Sequence, residues 1–213
     1  MSEHEEIIRK AFAKYIEDKH PTGSLASVVQ LLAAGTLSPD DFNAAIAHDY
    51  AFYREGLLDL VLYLIEFCIE DHQLSHEELL AVRTVKRLLH INEGDLYGLR
   101  RREIQGLMCR EIDRILSDEN VDDVEALHQA RLQEVFDLGY DQYRELARAS
   151  FDRVIDEKIR SIASSGSAAA ERARQLYDHV LALDTVFRLS DSQKELLFGQ
   201  PQRADEQPSS LSG

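Results

Sequence analysis

Two stretches of the chain concentrate oxygen donors of the kind that hold a hard cation. One reads Glu-Asp-His-Gln-Leu-Ser-His-Glu-Glu over 70–78, the other Ser-Asp-Glu-Asn-Val-Asp-Asp-Val-Glu over 117–125. Such ions want several carboxylate and carbonyl oxygens in one small cage. Asp118, Asn120 and Asp122 alternate as at the start of a calcium loop. Yet Asp123 stands where that loop needs Gly, and Gln129 where it needs a bidentate Glu. Neither stretch is an EF-hand. A metal here draws its ligands jointly from Asp71, Glu78, Asp118 and Glu125, or is held through water-mediated contacts, and the candidates are Ca2+, Mg2+, Mn2+ and Zn2+. The same acids have a structural use. Ser75 with Glu78 fits a capping box, in which hydroxyl and carboxylate each satisfy an orphan N–H of the first helical turn. Asp122 with Glu125 is a looser version and Ser190 with Gln193 a third. Leu74 and Val121 precede the first two caps and are placed to staple them.

Other reactive constellations are incomplete. Glu125-Ala-Leu-His128 has the Glu-x-x-His form of di-iron bundles, which need a second such element and two more inward Glu residues. His72 and His76 are four apart, a Zn2+-ligating spacing on a helix, but they straddle a predicted loop and cap. The sequence contains no Gly-rich phosphate loop and no nucleophile elbow. Cys68 and Cys109 sit among apolar residues, as free thiols of a reducing compartment do. The expectation is a protein without enzymatic activity, with a divalent cation as its only candidate cofactor.

These side chains must be held by helices. Apolar residues recur at helical spacing almost everywhere, and no alternating strand pattern appears. The spacing predicts helices over 3–18 and 24–34, then a long helix from Ser38-Pro39-Asp40-Asp41 to about Ile69 with a bend near Gly56. Further helices are predicted over 76–90, 94–116, 122–137, 141–162, 168–188 and 191–198. Tyr50, Phe52, Tyr53, Tyr63 and Phe67 read as core aromatics of the long helix; Tyr97, Tyr140 and Tyr143 read as packing at hairpin ends.

Placing Cys68–Tyr97 over Ile115–Arg144, a shift of 47 residues, aligns the two acidic stretches. Asp71 falls on Asp118, Leu74 on Val121, Ser75 on Asp122, Glu78 on Glu125 and Leu80 on Leu127. Val85 falls on Leu132, Leu88 on Val135, Leu89 on Phe136 and Ile91 on Leu138. Each unit is a helix, an acidic loop, a second helix and an apolar hook, Leu-Leu-His-Ile or Val-Phe-Asp-Leu. One such hairpin cannot cover its own apolar face; two stacked copies can. The fold class expected is all-α, a helical bundle with an internally duplicated helix–loop–helix core.

Asp-x-x-Leu-Ser-x-x-Glu after an apolar helix, followed by a helix ending Leu-Leu-His-Ile and a polar turn, resembles the TerB-like domains linked to tellurite resistance. The resemblance is clearest over 60–97 and fades through 111–146. It implies metal binding by the loop acids, here Asp71, Glu78, Asp118 and Glu125. His72 and Glu119 stand where the family usually has Gly after the loop Asp, a departure that favours a fold kept for partner binding. Relatives serve as modules in co-chaperones and in stress- or phage-defence systems. The implied role is a non-enzymatic adaptor or regulatory subunit of such an assembly, with a divalent-metal-binding stress protein as the alternative.

The chain has 213 residues and a formal net charge of −15. That charge repels phosphate backbones, and the one basic run, Arg100 to Arg102, has Glu103 beside it and reads as a solvated helix face. Nucleic acid is therefore not an expected partner. The longest apolar run, 57–65, contains Asp59 and is far short of the ~18 residues that span a bilayer. No signal-peptide pattern opens the chain. The expectation is a cytoplasmic protein that binds another protein and reaches a membrane only through it. Four segments are expected: an N-terminal helical segment over 1–37, the duplicated core over 38–163, a C-terminal helical hairpin over 164–198 packing on that core, and a disordered tail over 199–213.

Overall fold

A computed structural model describes residues 2–46, 49–70, 74–116, 131–164, 169–182 and 187–198, and no strand occurs among them. The helices are α1 (Glu3–Lys19), α2 (Gly23–Ala34), α3 (Pro39–Ile46), α4 (Tyr50–Cys68), α5 (His76–Leu88) and α6 (Asp95–Ile115). Then come α7, described over 131–135, and α8 (Tyr140–Ala163), α9 (Ala169–Ala182) and α10 (Asp191–Phe198). The protein is an all-α helical bundle.

Local chemistry explains several of the ends. α5 opens with the capping box expected of it: Ser75 N donates to Glu78 Oε2 at 2.7 Å, and Glu78 N donates to Ser75 Oγ at 3.1 Å. The same reciprocal pair joins Ser190 and Gln193 at the start of α10, at 2.9 and 3.2 Å. Ser38 and Asp41 exchange bonds likewise, both at 3.2 Å, and Pro39 takes the first position of α3, where its missing N–H leaves nothing unbonded. α2 ends at Gly35, whose φ of +71° suits glycine; a Cβ there would lie 3.0 Å from Cδ of Arg9.

The long helix expected from 38 to 69 is two helices. Asp49, with φ −131° and ψ 28°, is non-helical just before α4, while α4 passes through Gly56 without a break. Gly56 serves contact instead: a Cβ there would lie 3.2 Å from Leu25, so the bare position lets α2 approach. Where one unbroken helix was expected over 94–116, Arg100 has non-helical φ −131°, ψ 28° inside α6. It is nearly buried, not a member of a solvated face. Its guanidinium donates to Asp59 Oδ1 at 2.8 Å and to the Glu55 carbonyl at 3.0 Å, tying the kink to α4.

α4 buries residues around much of its circumference, Leu57, Leu58, Leu60, Val61, Leu64 and Ile65 among them, and touches α1, α2, α5 and α6. Full burial of such side chains supplies roughly 1.5–3 kcal/mol each. The broadest seam is α6 against α8, followed by α1 against α2. The buried side chains form one cluster from Ile8 in α1 to Leu197 in α10. α10 is held to α8 by the buried Gln193, whose amide donates to Asp152 at 3.2 Å and Asp156 at 2.9 Å.

Candidate functional site

α5 and α7 end in the same way. His90 N donates to Arg87 O at 3.3 Å and Ile91 N to Lys86 O at 2.9 Å, around His90 at φ +55°. Asp137 N donates to Glu134 O at 3.1 Å and Leu138 N to Gln133 O at 3.0 Å, around Asp137 at φ +53°. His and Asp are among the few non-glycine residues that tolerate this left-handed region. After each hook a backbone N–H meets a side chain three residues on: Asn92 with Asp95 at 3.0 Å, Gly139 with Gln142 at 2.8 Å. Every partner in one hook lies 47 residues from its counterpart in the other.

Between the hooks lies an open cleft of about 810 Å3. One wall carries Arg83, Lys86 and Arg87, at i, i+3 and i+4 on α5, and His90 in the turn that follows it. The facing wall carries Gln133, Glu134 and Asp137, the counterparts of Lys86, Arg87 and His90 at the same shift. Ile91 and Leu138, nearly buried, also line it, as do Asn92 and Glu93. The two walls therefore differ in charge where they correspond in position.

Ion pairs cross the cleft. Arg83 pairs with Glu134. Lys86, only 7% exposed, donates to Asp137 Oδ2 at 2.5 Å and to the Val135 carbonyl at 2.6 Å. It thereby caps the C-terminus of α7 with a positive charge, which suits the negative end of a helix dipole. Burial nevertheless holds the Lys86 ammonium below the usual lysine range, and the attraction of Asp137 only partly offsets it. Among the described residues, Arg87 and Glu93 are exposed and have no ion-pair partner. The His90 ring lies against Phe42, centroids 5.3 Å apart, and its carbonyl accepts a 2.8 Å bond from the Tyr50 hydroxyl.

Of the four metal candidates, Asp71, Asp118 and Glu125 lie outside the described residues, as do His72 and His128. Glu78 is described, and its carboxylate accepts the Ser75 N–H in the cap. Among the described residues, no group of three or more His, Cys, Asp or Glu side chains is arranged to hold a metal ion. A second, smaller hollow of about 380 Å3, lined by residues of α1, α4 and α6, has several of its charges matched: Lys14 with Glu70 at 3.3 Å, Arg110 with Glu66, and the Tyr63 hydroxyl with Asp18 at 2.9 Å.

The basic run is largely engaged within the fold. Arg101 bonds Glu145 at 2.5 Å, which lifts the guanidinium and holds the carboxyl below its usual range. Two aromatic expectations fail. Phe52 is 81% exposed, because it stands on the side of α4 away from the core, and Tyr140 is 63% exposed, its ring 5.5 Å from the Arg144 guanidinium rather than packed inside. No described helix is long and apolar enough to cross a membrane. The cleft residues went unnoticed in the sequence, although the i, i+3, i+4, i+7 spacing of Arg83, Lys86, Arg87 and His90 was there to find. No family model matches the chain, nor does any curated protein or solved structure.

Proposed function

We propose that the chain is a non-catalytic adaptor that seats a partner protein in the cleft between its two hooks, within a stress-response or phage-defence assembly of the TerB-like kind. The cleft carries the reading. It is open, rimmed by charged and amide groups, and floored by two apolar side chains, the polar-rim composition of a protein interface. Enclosed, mostly apolar cavities are the usual hosts of small molecules. The matching hydrogen bonds of the hooks support descent of 68–97 and 115–144 from one unit, and Lys86 ties the two hooks together.

Site-specific photo-crosslinking in the native host tests this. A short alkyl-diazirine residue at Asn92, an exposed side chain of the cleft, is small enough to leave the cleft open and is expected to trap one protein stoichiometrically. The same residue at Glu17, exposed on α1, is expected to trap none. No adduct at Asn92, or the same adducts at both positions, removes the proposal.

A further inference from the structure

Resting on that adaptor reading, we infer that the segment seated in the cleft carries charges of both signs: a carboxylate for Arg87 and a cation for Glu93. The electrostatics select among three kinds of segment. A purely acidic one meets the field of a chain with net charge −15 and the unmatched carboxylate of Glu93. A purely basic one gains from that field but meets the unmatched guanidinium of Arg87. A mixed segment meets neither penalty. Glu134 and Asp137 are already engaged by Arg83 and Lys86, so the charged groups left to read a ligand among the described residues are Arg87 and Glu93, with the His90 imidazole and the Asn92 and Gln133 amides also lining the cleft. Arg87 and Glu93 sit on the two sides of the His90 turn, six residues apart along the chain. Exposed pairs of this kind contribute specificity by rejecting like charge, more than they contribute raw affinity.

Selection from a phage library of random dodecapeptides tests the inference, using the full chain, its Arg87→Glu/Glu93→Arg double variant, and Asn92→Trp as a blocked cleft. All the substituted side chains are exposed, so folding is retained, and far-UV CD verifies it. The wild type is expected to enrich peptides with at least one acid and one base. A synthetic winner, followed by fluorescence anisotropy, is expected to bind about tenfold more weakly to Arg87→Glu and to Glu93→Arg singly. It is expected to regain affinity for the double variant when its own acid and base are exchanged. Enrichment of acidic-only or basic-only peptides overturns the inference, as does a set unchanged by charge reversal. No enrichment above Asn92→Trp overturns it too, while a crosslinked partner at Asn92 in the host would leave the adaptor reading standing.

Discussion

Lys86 is a nearly buried ammonium with one carboxylate for company, and both members of the pair can be probed without breaking the turn that holds them. Asn tolerates the left-handed region as Asp does. Asp137→Asn therefore keeps the hook and removes the counter-charge, leaving Lys86 hydrogen-bonded to uncharged acceptors only. A loss of about 1–3 kcal/mol is expected from urea denaturation at neutral pH. The pH dependence has a definite sign. The folded value of Lys86 lies below its ordinary one, so the burden of charging it is complete below that value and vanishes as pH rises toward the normal lysine range. The gap between variant and wild type should narrow accordingly with rising pH. Tyr63 acts oppositely. Burial and its bond to Asp18 raise the phenol, so its contribution is intact below about pH 10 and drains away as pH climbs through the folded value. Tyr15 and Tyr50 are raised in the same direction, each chiefly by burial. Urea midpoints should fall steeply on the alkaline side, and less steeply in Tyr63→Phe.

At the level of helices, the bare positions of α6 separate two uses of glycine. A Cβ at Gly98 or Gly106 would meet nothing within 4 Å, and neither has a left-handed φ. Gly98→Ala and Gly106→Ala should each add about 0.5–1 kcal/mol, whereas Gly35→Ala, with its positive φ and the Arg9 contact, should lower stability; thermal melts of the three decide. Ser75→Ala should cost about 1 kcal/mol with a chelator present, because the cap it shares with Glu78 needs no metal. Helix starts could be read from the chain because their chemistry is local: Ser75 and Glu78, or Ser190 and Gln193, sit three residues apart and satisfy each other. The break between α3 and α4 could not, since apolar spacing runs through it. Nor could the kink at Arg100, whose stabilising partners Glu55 and Asp59 lie on another helix.

Taken whole, the described residues share one apolar cluster, which runs from the N-terminal helices through the middle of the chain to the C-terminal ones. Ile8, Ala11 and Phe12 of α1 are buried, and α1 packs on α2, α4 and α5. Phe151 of α8 stacks 5.5 Å from Phe187, next to α10. One unfolding transition is expected, with the same midpoint by far-UV CD and by tyrosine fluorescence. An early, separate loss of the first two helices would contradict this. The cleft escaped the sequence for a reason of the same scale. On a helical wheel Arg83, Lys86, Arg87 and His90 look like a solvated stripe; only the approach of α7 buries one of them and sets acids before two.

The crossing from Lys86 to Asp137 also imposes a schedule on the newborn chain. Its acidic half is 51 residues downstream of its basic half. At about 5–20 residues per second, translation delivers the basic stripe several seconds before its counter-charges. During that interval the lysine and its arginine neighbours stand bare in an otherwise acidic nascent chain, beside a ribosome whose RNA exposes a phosphate backbone.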